Sequence, residues 1–83
     1  MEDRNLDLVI ANFILPKLIQ FKKDNANIPA TLTDEVWNKY LEFMIEAFTI
    51  IRINNGEIID PKDYEKIERG LKLFAKYYLD LWY

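Results

Sequence analysis

Four cations recur at the spacing of a helical face: Lys66, Arg69, Lys72 and Lys76. A stripe of this kind can hold phosphate groups or an acidic partner, with arginine suited to bidentate contact. The same spacing also describes the solvated side of an ordinary amphipathic helix, the commoner role of such charges. Aromatic residues complete the candidate set. Trp37, Tyr77 and Trp82 offer flat rings that could stack on a base or anchor a protein interface. The chain ends Tyr77-Tyr78-Leu79-Asp80-Leu81-Trp82-Tyr83, a tail too apolar for a terminus that frays in water. It is expected to dock, either on its own core or on a partner.

Carboxylates form the second candidate group. Glu42 and Glu46 lie four apart, Glu65 and Glu68 three apart, so each pair shares a helical face. Facing pairs could hold Mg²⁺ at a nucleotide's phosphates, as in all-helical pyrophosphohydrolases, although the Glu-rich motifs of those enzymes are matched poorly here. Glu68 and Lys72 read equally well as an ion pair on a wet helix face. The sequence contains no histidine, cysteine or serine, which removes the commonest general base and the commonest nucleophiles. We therefore assign no catalytic residue, no cofactor and no metal site; a structural zinc site lacks its usual ligands.

Composition narrows the setting. Eighty-three residues make one domain, and below about 80 residues a core alone rarely supplies more than about 3–5 kcal/mol. Disulfides are excluded, so helix packing or self-association must do the rest. Hydrophobic residues make up 51% of the chain, more than three helices can readily bury, which favours a homo-oligomer. A net charge of −3 gives no basic footprint for nucleic acid, and direct nucleic-acid binding is not expected. No apolar run is long enough to span a membrane, and the start Met1-Glu2-Asp3-Arg4-Asn5 is not a signal peptide, so the expected location is cytoplasmic.

The elements that must position these residues follow from periodicity and capping. The first helix is expected over about 6–23. Its apolar residues run almost all the way round, which calls for burial on more than one side. Pro16 should kink it near Asn12, or split it into two short helices at Leu15. Asp24 to Leu32 reads as a loop, with Asp24-Asn25-Ala26-Asn27 as turn formers and Pro29 holding Ile28 extended. Thr33 is the expected N-cap of a second helix over about 34–53, in which Val36, Trp37, Tyr40, Leu41, Met44, Phe48 and Ile51 recur at spacings of three and four. Asn54-Asn55-Gly56 should end it. Asn55-Gly56 also fits a hairpin turn, against which the upstream period of 3.6 argues.

Asp60 and Pro61 open a third helix over about 61–82. Along it Tyr64, Ile67, Leu71, Phe74, Tyr78 and Leu81 form a heptad seam. Gly70 interrupts the helix interior at a cost of about 1 kcal/mol, which close approach of another helix, or of a ligand, would explain. The expected fold is all-α: a compact three-helix bundle, assembled into a homo-oligomer.

Three stretches carry a resemblance. Phe13-Ile14-Leu15-Pro16-Lys17-Leu18 with Phe21 comes first, and Leu32-Thr33-Asp34-Glu35-Val36-Trp37-Asn38 with Met44, Ala47 and Phe48 second. The third is Gly70-Leu71-Lys72-Leu73-Phe74-Ala75-Lys76-Tyr77-Tyr78, closing on Leu81-Trp82. Together they resemble a family of small bacteriophage proteins. The shared residues are packing and capping positions, and they bring no catalytic residues with them. The chain departs from the family in ending on Tyr83, where an acid often follows the tryptophan, and in its linker over 54–60. By analogy the resemblance implies a phage accessory protein that counters host defence by binding. One form of that role is an oligomer sequestering a nucleotide-type signal between subunits, with the four cations on phosphates and Trp37, Tyr77 or Trp82 on the base. The other is inhibition of a host defence protein or nuclease through the aromatic tail.

Overall fold

The computed structural model describes residues 5–24 and 28–81, so the expected turn at Asn25–Asn27 and the terminal Trp82 and Tyr83 lie outside the described residues. Three helices follow in order: α1 over Leu6–Asp24, α2 over Asp34–Ile53 and α3 over Pro61–Lys76, with a 3₁₀ turn at Tyr78–Asp80. There are no strands among the described residues. The fold is compact and all-helical.

Local chemistry sets the helix ends. Thr33 is extended (φ −88°, ψ 164°) and its hydroxyl accepts from the Val36 N–H at 3.2 Å. Asp60 caps α3 in the same way, accepting from the Lys62 N–H at 2.9 Å, with Pro61 in the first helical position. At the far end of α2 the Gly56 N–H reaches back to the Ile51 carbonyl at 2.9 Å and the Asn55 N–H to the Arg52 carbonyl at 3.2 Å. This crossed pair, with Asn55 left-handed at φ 53° and Gly56 at φ 79°, terminates the helix and leaves no hairpin. Gly56 is also held by space: a Cβ there would run into the Asp7 carboxylate at the start of α1.

Pro16 lies inside α1, and the helix runs through it without splitting. Both Pro16 and Asn12 are exposed, so water can reach the Asn12 carbonyl that proline cannot serve. One face of α1 is buried, through Ala11, Leu15, Leu18 and Phe21. The opposite side is not. Leu6, Val9, Ile10 and Phe13 repeat at i, i+3, i+4 and i+7 and all stay exposed, Phe13 at 63%. Within one copy of the chain, nothing among the described residues covers the second apolar side that the sequence calls for.

The helix α2 is the centre of the molecule. Trp37, Leu41, Met44, Ala47 and Phe48 are buried, the first four completely. It packs against α1 on one side and α3 on the other, while among the described residues α1 and α3 make no direct backbone approach to each other. The pairing of α2 with α3 turns on Gly70. A Cβ at this position would strike the Phe43 carbonyl oxygen and the Ala47 methyl, so only glycine permits this separation. Of the two explanations for Gly70, close helix approach is the one that forms.

This contact corrects the expected heptad seam. The buried line of α3 runs through Ile67 and Gly70, with Leu73, Phe74, Tyr77 and Leu81 packed against the core. Tyr64 (58% exposed), Leu71 and Tyr78 (59% exposed) point away from it. The reason is geometric: when the glycine marks the line of closest approach, residues 100° further round the helix leave the interface. The end of α3 also differs from the expected span to 82. Tyr77 (φ −108°, ψ 19°) closes the α-helix, and a 3₁₀ turn follows, in which the Leu81 N–H bonds the Tyr78 carbonyl at 3.2 Å. The tighter turn carries Leu81 back onto the core.

Two substitutions test this packing. Replacing Trp37 by alanine should cost about 3–5 kcal/mol, as much as a core of this size supplies, and circular dichroism should find the variant largely unfolded at 25 °C. Gly70→Ala gains about 1 kcal/mol of helix propensity but overpacks by about 1–3 kcal/mol, a net loss of up to about 2 kcal/mol, so Tm should fall by up to roughly 10–15 °C; a rise would show that the helices separate freely at this point.

Candidate functional site

Two concavities among the described residues bear on the candidate residues. The first lies between α2 and α3 and contains part of the cationic stripe. The second lies between α1 and the end of α3.

The α2–α3 depression has a volume of about 480 Å³ and is lined by Tyr40, Phe43, Leu73, Glu65, Glu68, Arg69 and Lys72. Its cations are already engaged. The Arg69 guanidinium donates to Glu46 Oε1 at 2.8 Å and lies over the Phe43 ring, 3.7 Å from its centroid. A residue one step from Gly70 is brought this close to α2 by the same helix approach. Arg69 therefore ties α3 to α2. Lys72 pairs with Glu68 at 3.4 Å, both largely exposed. Lys66 is exposed, and the Lys76 ammonium lies 5.5 Å from the centroid of Tyr77. Two acids face two bases in this depression, so it presents little net positive potential to a phosphate.

The candidate stacking rings are placed differently from what a nucleotide site requires. Trp37 is fully buried, the largest side chain in the core, with its ring edge-on to Tyr77 at 5.6 Å and 70°. Tyr77 in turn lies against Tyr40 at 5.6 Å. These rings are held by one another because the helical period of α2 turns Trp37 inward with Leu41 and Met44. Trp37 presents no open face to a base, and Tyr77 is half-buried against it. Trp82 lies outside the described residues.

The carboxylates do not converge. Glu42 pairs with Lys22 of α1 at 3.5 Å, Glu46 with Arg69 and Glu68 with Lys72. Among the described residues no group of three acids could surround a metal ion.

The second feature was not singled out from sequence. It is a groove of about 740 Å³ between α1 and the α3 terminus. Ile14, Leu18 and Phe21 form one wall; Phe74, Tyr78, Leu79 and Leu81 form the other, with Lys17 and Gln20 at the rim. It exists because α2 holds α1 and α3 apart. Phe74 is braced edge-on by Phe48 at 5.3 Å and 81° and by Tyr78 at 5.6 Å and 74°, so this wall is fixed by aromatic contacts. Leu79 projects at 83% exposure. The available signals were the all-round apolar character of α1 and the aromatic tail, but neither says that the two surfaces share one groove. No helix among the described residues is long and apolar enough to cross a membrane.

The chain matches no protein-family model, no curated protein and no solved structure.

If Arg69 is a tie between helices, Arg69→Ala should lower stability by about 1 kcal/mol, the sum expected for a half-exposed ion pair and a cation–π contact. Thermal melts of Arg69→Ala beside Lys66→Ala check this. Equal Tm values for the two variants would return Arg69 to the solvated stripe.

Proposed function

We propose that the protein is a non-catalytic binding protein, a phage accessory factor that counters host defence by holding a host protein in the groove between α1 and α3. It does so as a self-associating helical domain. The phage setting rests on the resemblance described above. The mode of action rests on one observation: the groove of about 740 Å³ between α1 and the end of α3 is apolar on both walls, with Lys17 the one charged residue among its described lining.

A groove of this kind suits an amphipathic helix. Its occupant would place apolar anchors at i, i+3, i+4 and i+7 along Leu18, Phe21, Phe74 and Tyr78, and an acid near Lys17. Aromatic walls braced against the core keep their shape without a partner, which lowers the ordering cost of binding. The reading in which a nucleotide-type signal is sequestered has weaker support. It needs cations available for phosphate and rings open to a base, and Arg69, Lys72, Trp37 and Tyr77 are otherwise engaged.

Leu79 allows a clean test, since it is so exposed that a charge there costs the fold little. Tagged wild-type protein and Leu79→Glu should be compared in capture from host lysate, with circular dichroism confirming equal helicity. The expected outcome is a specific host protein bound by wild type and reduced at least tenfold by Leu79→Glu, the loss that about 1.4 kcal/mol produces. Identical capture by both proteins, or no capture by either, would remove the groove as the site.

A further inference from the structure

The groove does not end at its own walls. Lys17 lines it and also sits over Phe13, 4.8 Å from the ring centroid, so the exposed stripe of α1 borders the groove directly. On the other side Tyr78, in the 3₁₀ turn after α3, lines the groove, and Leu71 and Tyr64, one heptad apart on α3, are exposed on the same side of that helix, away from its contact with α2. The outer stripe of α1, the groove and the outer stripe of α3 thus make one apolar face.

We infer that a second copy of this chain covers this face, so that the isolated protein is a two-fold dimer and a host protein reaches the groove by displacing the partner copy. The last clause rests on the reading proposed above; the dimer itself does not.

Area supports this occupant. Leu6, Ile10 and Phe13 on α1, and Tyr64, Leu71 and Tyr78 with Leu79 at the end of α3, are between 38% and 83% exposed. At roughly 150–200 Å² for each fully exposed large side chain, they present on the order of 700 Å² of surface. Single-chain soluble proteins rarely carry an apolar patch beyond about 300–600 Å². A stable interface takes about 800 Å² from each partner, which these side chains and the groove walls together supply. A closed pair is the economical way to cover such a face, because one patch meeting its own copy leaves none of it in water, whereas contact with a different patch would propagate. The molecule measures 38 × 30 × 19 Å, so a patch of this size takes up much of one broad side. The dimer also explains how a domain this small, with no cysteine, holds so much apolar surface in solution.

Sedimentation equilibrium of the full chain between about 1 and 100 µM tests the inference, with Phe13→Glu and Tyr64→Glu as variants on the two stripes. Neither residue is buried in one copy, and the pair on different helices guards against a folding defect in either. Wild type should approach twice the 10.0 kDa chain mass at the upper concentration, while both variants stay near one chain mass with helicity unchanged. A wild-type monomer throughout would overturn the dimer. Mass growing beyond two chains would overturn its closure, and a dimer untouched by both variants would overturn its placement. Lysate capture separates this from the host-binding reading: a monomer that still captures a host protein through Leu79 loses only the dimer, and a dimer that captures nothing loses only the host partner.

Discussion

Helix α3 comes so near α2 at Gly70 that a methyl group there would meet the Phe43 carbonyl and Ala47, and the rest of the α2–α3 half follows from that separation. Arg69, one residue earlier, lies over the Phe43 ring and within hydrogen-bonding distance of Glu46. Tyr77, one heptad later on the same side, reaches the rings of Trp37 and Tyr40. Leu71, one residue on, is rotated out of the interface. A glycine in a helix interior weakens that helix, but here it sets the rotation of α3 and hence the role of each of its side chains.

A second constraint comes from the central position of α2. Among the described residues, half of the buried hydrophobic ones belong to it, and it keeps α1 and α3 from closing on each other. In a closed bundle the apolar sides of those helices would meet. Here they face across a groove, and the surface left over extends onto the outer sides of both. The same arrangement therefore limits the core and leaves the apolar groove open. For a chain near the lower size limit of a self-sufficient core, anything that binds the folded form alone would add stability by mass action.

The polar residues show how neighbours decide roles. Lys66, Arg69, Lys72 and Lys76 share a helical face, yet Arg69 is drawn into the α2–α3 contact, Lys72 stands beside Glu68, and Lys66 and Lys76 remain at the surface. The glutamates on α2 divide likewise, Glu42 toward α1 and Glu46 toward α3. Of the charges that look like one site along the sequence, only Arg69 links two helices.

What the sequence determined by itself is the set of three helices and most of their boundaries, because these depend on neighbours in the chain. Thr33 and Asp60 accept from N–H groups two or three residues ahead, and Asn55 takes the left-handed position that closes α2. The inward face of α2 was legible too, since a 3.6-residue period admits one buried side there, and Gly70 was legible as a point of close approach. The rotation of α3 was not. Two apolar lines, one through Tyr64 and Leu71 and one through Gly70 and Tyr77, both satisfy helical spacing, and only the depth of contact with α2 chooses between them. Trp37 lay on the apolar period of α2 and Tyr77 in the aromatic tail, so both core docking and a partner contact were open from sequence; the packing puts Trp37 in the core with Tyr77 against it. The early end of α3 depends on Leu81 finding the core. The groove belongs wholly to tertiary structure: its walls lie more than fifty residues apart in the chain, and no local pattern records that a third helix will hold them apart.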